Sequence, residues 1–153
     1  MNVLGVDQSL TSTGAVVVND GCLVYYEIIS TDKSQGDDIS RCEFVSKRLF
    51  ELVNYYNVEK VNLEGLAFGA CGDATRKLGG LQFLIISYIR NLTDINDVNV
   101  IAPTSMKKFA CHGKANKEEL FENLPSDVYC CFNEYSKSKG RFDLTDAYWL
   151  ACY

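Results

Sequence analysis

The sequence predicts an α/β fold: a mixed five-stranded sheet, three antiparallel strands and then βαβ units, flanked by helices. Three observations predict it. Three short apolar runs rich in valine, leucine and isoleucine open the chain. The second and third are joined by Asn19-Asp20-Gly21, a hairpin signal because Asp-Gly suits the positive φ of a tight turn. Beyond them, stretches with apolar residues at helical spacing alternate with short strand-like runs.

The elements follow in order. "NVLGVDQ" is a continuous apolar run, the pattern of a strand buried on both faces. "SLTST" supplies turn chemistry, and "GAVVVND" and "CLVYYEIIS" are the two arms of the hairpin. Residues 31–38 are polar, contain Gly36 and read as a loop. From Ile39, Phe44, Val45, Leu49, Leu52 and Val53 recur at helical spacing as far as Tyr56. "KVNLEG" is a fourth strand and "LAFGACGDA" a small-residue loop. "TRKLGGLQFLIISYIRNL" is a second helix, whose paired glycines permit close approach of another backbone. "DVNVIAP" is a fifth strand ended by Pro103. A short helix is expected over Met106 to Cys111, and "HGKANKEELFENL" is a basic turn leading into another. Residues 125–141 read as polar and irregular, and a final helix starts near Asp143.

Composition sets the bounds. The 153 residues are expected to form one domain, 1–153, with 47% hydrophobic and 23% charged residues, as in a soluble globular protein. The longest apolar run, "LGGLQFLIISYIR", stops at Arg90, short of the ~18 residues of a membrane span. The start "MNVLGVDQS" has no basic region before an apolar core, so export is not expected and a cytoplasmic location is. Seven cysteines, an odd number without C-x-x-C spacing, suit a reducing compartment. A zinc site from Cys111, His112, Cys130 and Cys131 is not expected, because adjacent side chains rarely converge on one tetrahedral ion. The net charge of −5 argues against a nucleic-acid partner, but the distribution argues for one. Residues 103–117 carry Lys107, Lys108, Lys114 and Lys117 with no acid, and residues 136–142 carry Lys137, Lys139 and Arg141 with no acid. Such segments can form a local phosphate-binding face on an acidic protein.

Four acids stand where acids are costly. Asp7 and Glu64 each end an apolar strand. Alone, Asp7 reads as a turn former and Glu64 as a strand position facing water. Asp143 and Asp146 open the last helix, where an N-cap and an acid at the third helical position are ordinary. They also project from nearly one face. If that helix packs beside the ends of the two strands, four carboxylates converge, and such a set needs cations. Hard oxygen ligands at this density suit Mg²⁺, with Mn²⁺ able to substitute. Two ions about 4 Å apart activate water and stabilise the leaving oxygen of a phosphodiester.

The segments "GVDQSLTSTG", "LEG", "LGGLQFLI", "GKANKEEL" and "DLTDAYWLA", in that order and spanning nearly the whole chain, resemble the RuvC family of Holliday-junction resolvases, which have the RNase H-like fold. The resemblance implies that Asp7, Glu64, Asp143 and Asp146 are metal ligands for two ions per site. It implies a homodimer, joined through the helix at residues 75–92, that makes paired nicks in four-way DNA and leaves 5′-phosphate and 3′-hydroxyl ends. Lys117 matches a lysine close to the scissile phosphate, and Lys108 a lysine after the fifth strand. Lys107 and Lys114 are neighbours able to add phosphate contacts. Arg76 and Lys77, at the start of the long helix, complete the candidate DNA contacts.

The sequence departs from the family pattern at one place. Bacterial members carry a base-contacting aromatic three residues after the glutamate; here that position is Ala67 and Phe68 follows it. Phe68 stacked on a base would contribute ~1–3 kcal/mol. The compact form and loose motifs look more like a phage member, for which forks and other branches are also expected substrates. Two alternatives stand beside the resolvase: an RNase H-like nuclease on RNA–DNA hybrids or flaps, and a relative that binds nucleic acid without cutting. A nucleotide kinase is unsupported, because the sequence has no G-x-x-x-x-G-K-[ST] loop.

Overall fold

Alternation along the strands decides which side of the sheet each residue serves. In β1 (Asn2–Asp7), Leu4 and Val6 enter one core and Val3 the other; in β2 (Ser12–Asn19), Ala15 and Val17 enter the first, Val16 and Val18 the second. β3 (Cys22–Ser30) pairs antiparallel with β2 across a two-residue turn in which Asp20 and Gly21 have φ of 48° and 82°, as the hairpin signal requires. β4 (Lys60–Glu64) and β5 (Val98–Ile101) add in parallel on the other side of β1, giving the order β3-β2-β1-β4-β5. The computed structural model describes residues 1–67, 69 and 71–153.

One face is covered by α1 (Asp38–Tyr55) and α2 (Asp73–Leu92), which place Val45, Leu49, Leu81, Ile85 and Ile89 against it. Five further helical segments follow β5. They are α3 (Pro103–Ala110), α4 (Lys117–Glu122), α5 (Ser126–Asn133), a wide turn at Lys137–Arg141, and α6 (Phe142–Cys152). α6 lies on the second face and buries Leu144, Ala147, Tyr148, Leu150 and Ala151. Asn116 caps α4 reciprocally with Glu119, whose N–H donates to Asn116 Oδ1 at 3.0 Å.

The structure corrects four expectations. α1 starts one residue early, at Asp38, because Asp37 caps it by accepting from the Ser40 N–H at 2.8 Å. α3 starts at Pro103, which ends the strand and also occupies the first helical turn, where a missing N–H costs nothing. Residues 125–141 are not irregular throughout: α5 forms after Pro125 and buries Val128 and Phe132, four apart, under α6. α6 starts at Phe142, so Asp143 is not an N-cap; Arg141 before it is already helical, at φ −52° and ψ −48°. Among the described residues, the paired glycines of α2 meet no backbone of this chain. Leu66 Cδ1 is 3.7 Å from a Cβ built at Gly79, and none of the described residues lies within 4 Å of one at Gly80.

Candidate active site

The site is assembled by the contact of α6 with the central strand. A Cβ at Gly5 would sit 2.0 Å from the Ala147 carbonyl oxygen and 2.4 Å from the Ala151 nitrogen. One at Gly14 would sit 2.3 Å from the Asp143 carbonyl oxygen. Glycine at both positions therefore lets the helix backbone rest directly on β1 and β2. Asp7 lies two residues beyond Gly5 and leaves the sheet on the same side. Glu64 lies two beyond Asn62, a fully buried residue whose Nδ2 donates to the Leu150 carbonyl of α6 at 2.8 Å. The parallel pairing of β1 with β4, ending at Val6 and Leu63, puts the two strand-end acids side by side.

α6 contributes the other two. Asp143 Oδ2 accepts from the Ser12 hydroxyl at 2.6 Å. Asp146 is 6% exposed, and its Oδ1 is buried without a hydrogen-bond partner among the described residues. All four carboxylates line one cleft of 570 Å³, together with Lys107 and Lys117. Among the described residues, no three His, Cys, Asp or Glu side chains are already drawn in around a single ion.

The electrostatics reflect this grouping of acids. Burial, then the charges of Glu64 and Asp146, push the Asp7 carboxyl well above the usual carboxylate range. Burial and then Glu64 push Asp146 up to about 7, although Lys117 and Lys107 act in the opposite direction. A buried acid with an unpartnered oxygen, crowded by other acids, fits a hard divalent cation, which would supply the missing positive charge and the missing contact. The ligands would be Asp7, Glu64, Asp143 and Asp146.

The predicted basic residues divide. Lys107, in α3, and Lys117, at the start of α4, face the cleft; the Lys117 Nζ lies 5.8 Å from the centre of the Phe142 ring. Lys108 and Lys114 are exposed and lie outside the cleft lining. Arg76 pairs with Asp73, and Lys77 Nζ is 2.9 Å from both Asp38 and Asp73. The second basic segment is largely spent on structure. Lys137 pairs with Glu118, while Arg141 donates to the Tyr135 and Asn133 carbonyls at 2.8 and 3.1 Å and lies over the Phe121 ring. Phe68 lies outside the described residues. Sequence reasoning missed Ser12 and the seats at Gly5 and Gly14; their signal was the two-residue spacing from Gly5 to Asp7 and from Ser12 to Gly14.

No protein-family model and no curated protein sequence matches the chain. Solved structures do. RuvC from Thermus thermophilus superposes with a TM-score of 0.75 at 21% identity, over 99% of this chain and 92% of that one. T. thermophilus RuvC in complex with Holliday junction substrate gives 0.74 at 20% identity, over 99% and 90%. The yeast mitochondrial Holliday junction resolvase Ydc2 gives 0.66 at 15% identity, over 98% and 75%. The chain therefore has the RNase H-like fold in the arrangement seen in RuvC, over nearly its whole length.

Proposed function

We propose that this protein is a metal-dependent endonuclease that resolves four-way DNA junctions. The observation that carries the reading is the cleft: Asp7, Glu64, Asp143 and Asp146, from three separate elements, line it beside Lys107 and Lys117, with an oxygen of Asp146 buried and unpartnered. The likeness to RuvC, one structure of which holds Holliday junction substrate, supports the choice of DNA substrate.

Divalent cations, Mg²⁺ or Mn²⁺, would supply an activated water and charge stabilisation at the scissile phosphate. The chain's own residues do the rest. Ser12 holds one oxygen of Asp143 and fixes its orientation toward the cleft. Lys117 and Lys107 attract the phosphate into a site that would otherwise repel it, and Lys117 neutralises charge that develops there. The closed apolar seat of α6 keeps its two acids in register with the strand ends.

Two symmetric nicks need two sites related by a two-fold axis. The exposed Phe83 of α2 and Ile39 at the start of α1, 74% and 70% accessible, support α2 as the face that joins a homodimer. The products would be 5′-phosphate and 3′-hydroxyl ends.

The test is incubation with labelled four-way junction, fork, duplex and RNA–DNA hybrid, with Mg²⁺ and with chelator. The reading predicts paired cuts in the four-way junction in Mg²⁺ alone. Cleavage confined to the hybrid would replace the substrate, and cutting in chelator would remove the metal from the account.

A further inference from the structure

Glu64 is held from behind by two amides. Where β1 stops pairing with β4, the Glu64 carbonyl oxygen accepts from Gln8 Nε2 at 2.5 Å and from Gln82 Nε2 at 2.8 Å. Both glutamines are buried, 4% and 7% exposed. They come from different elements: Gln8 follows β1 directly, and Gln82 sits in the middle of α2, across the sheet from α6. Among the described residues the Gln8 Oε1 is buried without a partner, and its amide is anchored through its donor side.

A buried amide in an otherwise apolar helix face is costly unless it is satisfied, and a Leu at position 82 would serve packing between Leu81 and Ile85 as well. What the glutamine adds is a fixed position for the last peptide of β4, from which the Glu64 side chain springs. We propose that Gln82, with Gln8, is a positioning residue: it sets the Glu64 carboxylate for cation binding and ties the α2 layer to the metal site. The inference rests on the reading of Glu64 as a ligand. Partners hydrogen-bonded to a metal ligand typically change metal affinity by about 10–100-fold when lost; Gln8 and Gln82 act one step further back, on the Glu64 carbonyl, so the lower end of that range applies.

The experiment titrates Mn²⁺ alone into wild-type protein, Gln82→Leu, Gln82→Met and the Gln8→Leu/Gln82→Leu double variant, by calorimetry. Four-way junction cleavage is followed against Mn²⁺ concentration, and junction binding is measured in chelator. Circular dichroism checks folding, and Gln82→Met preserves length if the leucine variant fails to fold. We expect the Mn²⁺ dissociation constant to rise about tenfold or more for the single variants and further for the double, with cleavage recovered at higher Mn²⁺ and junction affinity in chelator unchanged. A folded Gln82 variant with wild-type Mn²⁺ affinity and an unshifted cleavage midpoint would overturn the proposal. Wild-type protein that takes up no Mn²⁺ would instead overturn the reading of the site itself.

Discussion

The two faces of the sheet solve different problems with the same strands. Toward α1 and α2, β1 and β4 present Leu4, Val6, Val61 and Leu63, and ordinary apolar packing holds the layers. Toward α6 they present Gly5, Asp7, Asn62 and Glu64, which no hydrophobic pattern would choose. At Gly5 and Gly14 the second face gives up a side chain to bring a helix backbone within contact, and with it two more acids. Both faces carry an apolar core, but only the second interrupts it, at one end, to crowd charge.

The largest test of that contrast is Gly5→Ala. The new methyl lies 2.0 Å from the Ala147 oxygen. Lifting α6 should cost on the order of 4 kcal/mol or abolish folding, as read by urea denaturation. Wild-type stability would mean that α6 does not rest on β1 as described.

Next comes pH. In chelator, the folded chain holds the Asp146 carboxyl up at about 7 against an ordinary 3.8, and Asp7 is raised in the same direction. The folded state therefore binds protons more tightly than the unfolded chain. The associated stability is present in full below the ordinary value and is lost as pH rises through about 7. Thermal unfolding should show Tm falling between about pH 4 and about pH 7. Asp146→Asn should flatten the fall, and added Mg²⁺ should restore Tm at the alkaline end. A metal-free Tm that rises over that range would contradict the crowding of acids.

The two basic segments sharpen the comparison further. Lys117→Ala should lower cleavage by roughly tenfold or more, with a smaller loss of stability. Arg141→Ala should do the reverse: it removes two hydrogen bonds and a ring contact and costs roughly 1–3 kcal/mol of stability. The smallest effect belongs to Gly80→Ala. With none of the described residues within 4 Å of its Cβ, the change should raise the stability of the α2 layer by up to about 1 kcal/mol through helix propensity.

The strands, the hairpin and both long helices were legible in the sequence because each rests on local periodicity or turn chemistry. Asp7 and Glu64 stood out for the same reason, as acids ending apolar runs. What sequence could not place was set by tertiary contact. α5 is short and flanked by polar residues, and its helix is fixed by Val128 and Phe132 packing under α6. Asp143 looked like a cap because caps are judged from the first apolar residue, whereas Arg141 continues the helix backwards. Lys107 and Lys108 are equivalent in sequence, and only the pitch of α3 turns Lys107 to the cleft. Arg141 and Lys137 looked free because their partners, the Asn133 and Tyr135 carbonyls and Glu118, become neighbours only through the fold.

The claim that the four acids act together through a divalent cation is tested most directly by Asp146→Asn, which removes a charge and keeps the shape. Junction binding by gel shift in chelator and junction cleavage in Mg²⁺ are measured on the same preparation. The account predicts wild-type binding with cleavage abolished; cleavage at the wild-type rate would contradict it.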